Sequence, residues 1–135
     1  MLKLIIGVKG TGKTKQLIEM VNQSLEATKG DVVCIEKGEK LRFDVSYKCR
    51  LINTEEFAIN DADNLYGFVA GILASNNDVT DLYIDSALKI CKDDVEAFDK
   101  ILDKVAELSN KMEVNCVMTI SMPAENATDT IKKYL

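Results

Sequence analysis

Gly7-Val8-Lys9-Gly10-Thr11-Gly12-Lys13-Thr14 spells G-x-x-x-x-G-K-T, the pattern of a loop that cradles phosphate. Leu2-Lys3-Leu4-Ile5-Ile6 precedes it, short and apolar as a buried parallel strand should be. A helical pattern follows from Lys15, with Leu17, Val21 and Leu25 on one face and Gly30 as a stop. Glycines allow a tight turn that aims successive N–H groups inward, and the helix N-terminus adds partial positive charge at the same spot. Phosphate contacts are therefore expected from Gly7, Lys9, Gly10, Thr11, Gly12, Lys13, Thr14 and Lys15. Lys13 would reach the β- and γ-phosphates and the Thr14 hydroxyl would ligate Mg2+. The expected ligand is a nucleoside triphosphate.

The chain has 135 residues, enough for a single domain over 1–135 that buries a sizeable core. Its formal net charge of −5 argues against a dominant nucleic-acid surface. There is no histidine, and the four cysteines, Cys34, Cys49, Cys91 and Cys116, form no C-x-x-C pair. That excludes a histidine-ligated metal and speaks for buried free thiols in a cytoplasmic protein rather than a zinc site. No signal peptide or membrane span is read in the sequence.

Further strands are expected at Asp31–Glu36, Thr80–Asp85 and Val114–Ser121. Strict alternation of Leu41, Phe43, Val45, Tyr47, Cys49 and Leu51 predicts a half-buried edge strand or hairpin over Lys40–Leu51. Helices are expected over Asp61–Ser75, where Gly67 and Gly71 would allow close packing on the sheet, and over Asp93–Asn110, with Asp93 and Glu96 forming a cap-like start. A closing helix would begin near Pro123. Alternating strands and helices predict a three-layer α/β/α sandwich around a mostly parallel sheet, with the ligand at the carboxyl ends of the strands.

A phosphate loop needs a metal partner, commonly an aspartate closing an apolar strand. Leu82-Tyr83-Ile84-Asp85 supplies one, whereas Asp81 would lie at the wrong edge of the sheet. Many such ATPases carry a glutamate directly after this aspartate, but here the next residue is Ser86. Glu36 ends the second strand at the ligand edge. It either faces the γ-phosphate or opens the polar turn Glu36-Lys37-Gly38-Glu39-Lys40.

The glycine loop, the strand ending in Glu36 and Ile84-Asp85-Ser86-Ala87-Leu88 together resemble the RecA-type ATPase core shared by RecA recombinases and the clock ATPase KaiC. The resemblance covers roughly residues 1–121. It implies a RecA-like fold, ATP and Mg2+ as ligands, Glu36 and Lys13 as catalytic residues, and Thr14 and Asp85 at the metal. It departs after the last strand. RecA-like proteins often place a glutamine there followed by a DNA-binding loop, whereas this chain has Thr119-Ile120-Ser121 and then its closing segment. Ser121 would bond phosphate or cap a helix.

Asn110-Lys111-Met112-Glu113 precedes its strand and so lies at the wrong edge to read guanine, and only Arg42 and Arg50 are available for a kinase lid. Lys29 to Arg50 holds six basic and four acidic residues with Phe43 and Tyr47 interleaved. That pattern fits a charge-shielded edge strand, single-stranded nucleic acid or a protein partner. The expected function is a slow Mg2+-dependent ATPase acting on an unknown partner and without tight nucleic-acid binding. A non-hydrolysing nucleotide-gated module and a small-molecule kinase are the alternatives.

Overall fold

The computed structural model describes residues 1–135. Five strands, β1 (Leu2–Gly7), β2 (Asp31–Glu36), β3 (Arg50–Asn53), β4 (Val79–Ile84) and β5 (Asn115–Ser121), form one sheet in the order β1-β5-β4-β2-β3. Every pairing is parallel. The helices are α1 (Lys13–Ala27), α2 (Ala62–Ser75), α3 (Ala87–Ile90), α4 (Val95–Lys111) and α5 (Asp129–Lys132). None is long and apolar enough to cross a membrane.

Side chains alternate across the sheet with period two, and the two faces build separate cores. Leu4, Val33, Ile35, Leu82, Ile84, Met118 and Ile120 join Leu65 and Val69 of α2 and Phe98 and Leu102 of α4 in a 28-residue cluster. Val32, Cys34, Tyr83 and Val117 point the other way, into a nine-residue cluster with Leu17 and Val21 of α1. All four cysteines are free and buried. Burial pushes the Cys91 and Cys116 thiols up to about 12 and that of Cys49 to about 11.

Four sequence expectations are corrected. The region Lys40–Cys49 is not a strand: only Arg50–Asn53 pairs, parallel to β2. Leu41, Val45 and Cys49 recur every fourth residue and close the smaller core, while Phe43 and Tyr47 are 83% and 91% exposed. A turning segment can thus mimic strand alternation when half of its apolar residues face water. Gly67 and Gly71 lie on the exposed side of α2, with open space where a Cβ would stand. Helix α4 is capped by Asp94, not Asp93: its carboxylate accepts the Ala97 N–H at 3.1 Å. The closing segment is a 3-10 turn over Ala124–Asn126 followed by the short α5. Its Tyr134 carbonyl accepts the Leu4 N–H at 2.7 Å, occupying part of the β1 edge.

Candidate functional site

All carboxyl strand ends lie along one edge of the sheet. Gly7 is in register with Ser121, Glu36 with Asn53, and Ile35 with Ile84 just before Asp85. The glycine-rich loop leaves β1 there. Gly10 and Gly12 sit at φ 86° and 85°, a region that a Cβ disfavours, and Gly12 is the residue that launches α1. The Thr11 hydroxyl donates to the Val8 carbonyl at 2.8 Å, bracing the loop, and Lys13 Nζ donates to the same carbonyl at 3.0 Å.

Helix α1 contacts β1, β5, β4 and β2, so its first turn reaches Asp85 although β5 lies between β1 and β4. Thr14 Oγ1 stands 3.2 Å and 3.3 Å from the two carboxylate oxygens of Asp85, a residue 71 positions away. Thr119 Oγ1 donates to Asp85 Oδ1 at 2.7 Å and accepts the Ser86 N–H at 2.7 Å. Thr119 is 1% exposed, and it fixes both the carboxylate and the turn that carries it. Two oxygen-bearing side chains, Thr14 and Asp85, therefore converge at the mouth of the loop. No cluster of three or more metal-ligating side chains exists. Such a pair fits a cation that takes its remaining ligands from water and phosphate, as Mg2+ does, better than a cation held by protein alone.

Glu36 is 3% exposed. Its Oε1 accepts the Lys40 N–H at 3.0 Å and the Leu41 N–H at 3.3 Å, and its Oε2 lies 3.2 Å from the same Leu41 nitrogen. Burial pushes its carboxyl above the ordinary range, against the pull of the Leu41 and Lys40 N–H groups, with the Asp85 charge adding to the rise. The side chain anchors the turn after β2 and also borders the cleft.

That cleft has a volume of about 610 Å3 and no hydrophobic lining. It brings together Lys9, Gly10, Gly12, Lys13, Thr14, Lys15, Glu36, Asp85 and Ser121 as the sequence suggests. Gly7 and Thr11 support the loop from outside this lining. Ser121 caps no helix, since Pro123 and Thr128 precede the two closing turns. Lys37, Lys40, Glu55, Ser86, Lys89 and Asp93 also line the cleft. Six lysines thus face four carboxylates, a local positive excess in a chain of net −5. Ser86 and Asp93 adopt φ 56° and 58°, unusual for residues with side chains, so backbone strain gathers here with the glycines.

Lys89, Asp93 and Thr119 escaped the sequence reading. Helix α3 has four residues, too short to display a period, and Thr119 reads as an ordinary strand interior. No protein-family model matches the chain, and no curated protein matches it either.

Proposed function

We propose that the chain is a P-loop protein with a RecA-like core that binds ATP with Mg2+ and hydrolyses it slowly. The observation that carries this reading is the approach of Thr14 to Asp85 at the mouth of the glycine loop, 3.2 Å across 71 residues of sequence. The polar, lysine-rich cleft around it suits a polyphosphate. Thr14 and Asp85 would hold Mg2+, which when bound neutralises charge on the β- and γ-phosphate oxygens. Lys13 would leave the Val8 carbonyl for phosphate oxygen, and Lys89, which lines the cleft from α3 and has no ion-pair partner, would add charge. Glu36 would orient the attacking water through an Oε2 lone pair not used by Leu41 and receive its proton. Its elevated basicity favours that proton transfer.

A second reading is a nucleotide-gated module that does not turn over. The hydrogen bonds holding Glu36 to Lys40 and Leu41 favour it, because a carboxylate committed to a turn is a poorer base. Calorimetric titration with ATP, with Mg2+ and with EDTA, tests the binding they share. Binding that strengthens with Mg2+ supports both, and its absence overturns both. Phosphate release under saturating ATP then separates the ATPase from the module.

A further inference from the structure

A second pocket, of about 260 Å3, shares Glu36 with the cleft and is lined by the turn after β2, by β3 and by the 3-10 turn Thr54–Phe57. It is small beside the usual range for drug-sized ligands, roughly 300–1,000 Å3, and suits a compact metabolite. Both arginines of the chain line it. Arg42 is already engaged, 3.5 Å from Glu39 and stacked over the Phe43 ring. Arg50 and Glu56, in contrast, face the same pocket and form no ion pair with each other or with any other side chain. Phe57, half exposed and stacked on Phe68 at 5.8 Å, supplies an apolar wall.

Glu36 also lines the pocket, but its carboxylate is taken up by the Lys40 and Leu41 N–H groups. A free cation, a free anion and an aromatic wall around a small volume match a ligand that carries the complementary set. We propose that this pocket binds a free amino acid or a similar small zwitterion. Arg50 takes its carboxylate, Glu56 takes its ammonium group, and Phe57 covers an apolar side chain. A guanidinium matches a carboxylate in bidentate geometry, and each charge-assisted contact discriminates strongly against a ligand that lacks its partner. The pocket goes beyond the nucleotide reading and does not depend on it.

The probes are L-phenylalanine, L-phenylalaninamide, which lacks the carboxylate, and N-acetyl-L-phenylalanine, which lacks the ammonium group. Calorimetry on the full chain should show phenylalanine binding about tenfold or more tighter than either analogue, the size of one charge-assisted hydrogen bond. Arg50→Gln should erase the preference over the amide alone, and Glu56→Gln the preference over the acetylated form alone. Failure of phenylalanine to bind at millimolar concentration overturns the proposal, as do preferences that survive both substitutions. An ATP titration of the same preparation keeps the two readings apart. A chain that binds ATP but not phenylalanine rejects this pocket only, and the reverse rejects the nucleotide reading only.

Discussion

Both carboxylate oxygens of Glu36 reach the backbone nitrogen of Leu41, at 3.3 Å and 3.2 Å, although the two residues belong to a strand end and to an irregular segment. The buried Leu41 side chain behind that nitrogen belongs to the smaller core. Glu36→Ala should therefore leave a buried N–H without a partner and cost about 1–3 kcal/mol, read as a lower Tm. Glu36→Gln keeps one acceptor oxygen and should cost less. It should also abolish phosphate release while leaving ATP affinity within about threefold.

The same carboxyl sets a pH dependence. Its folded pKa is raised by burial, so the neutral form is favoured in the native state. The stability it contributes is fully present below the ordinary glutamate pKa and is lost as pH rises through the higher folded value. The cost of Glu36→Gln relative to the parent should thus shrink as pH climbs through that window, because the variant carries no charge to bury. Thermal melts of both forms across mildly acidic pH check the sign. A Tm difference between parent and variant that is flat over this range contradicts it.

On the proposed nucleotide reading, Lys13→Ala would remove a charge-assisted phosphate contact worth roughly 1.5–3 kcal/mol, so ATP affinity should fall about ten- to a hundredfold. In the structure its ammonium group meets only the Val8 carbonyl, so Tm should hardly move. Calorimetry and a thermal melt on one preparation measure both.

Thr119→Val is the informative change next to the Thr14–Asp85 pair proposed to hold Mg2+, because Thr119 bonds Asp85 and lines no part of the cleft. It deletes the donor to Asp85 and the acceptor of the Ser86 N–H, two bonds of 2.7 Å. Stability should drop by about 1–3 kcal/mol. The gain in ATP affinity on adding Mg2+ should shrink as well, as it should for Thr14→Ala and Asp85→Ala. A variant with a lower Tm but an unchanged response to Mg2+ would show that Thr119 serves the fold alone.

Lys89 is exposed, forms no ion pair and lines the cleft from α3. If its charge acts mainly on the transition state, Lys89→Ala should lower turnover by about a hundredfold or more while weakening ATP binding far less. Equal losses in both would make it a plain binding residue.

Phe43 and Tyr47, among Lys40, Arg42, Lys48 and Arg50, form the surface that most resembles a nucleic-acid contact. Glu39 already sits 3.5 Å from Arg42, and the chain as a whole is acidic. Few phosphates can be neutralised, so oligonucleotide binding should be weak and should vanish as salt rises. Sub-micromolar affinity near ~0.15 M ionic strength contradicts this.

The parallel sheet and its long helices were legible because their signals are local. Apolar runs such as Asp31–Glu36 and the stripe through Phe98, Ile101, Leu102 and Val105 state their own period. The cleft residues were legible where a loop or a strand end fixes them, as with Lys13, Thr14, Glu36 and Asp85. What escaped depends on tertiary placement. Leu41, Val45 and Cys49 look like one face of a strand until the segment turns, and Lys89 joins the cleft from α3, a helix of four residues that follows the left-handed Ser86. The bifurcated hydrogen bond from the Leu41 N–H to both Glu36 oxygens leaves no trace in residue spacing, so one glutamate carries two readings that only side-chain geometry can weigh.

The smaller core is closed by α1 and a strap that has turns but no strand ladder, while helices cover the larger one. A region sealed this thinly opens at a lower free energy than the rest of the fold. The cysteines sort with that division: Cys34 of β2 and Cys49 of the strap itself belong to the smaller core, Cys91 and Cys116 to the larger. Each thiol is held well away from its reactive thiolate form while buried. A thiol reagent should therefore report on the two cores separately, with Cys34 and Cys49 labelled ahead of Cys91 and Cys116 as the strap opens.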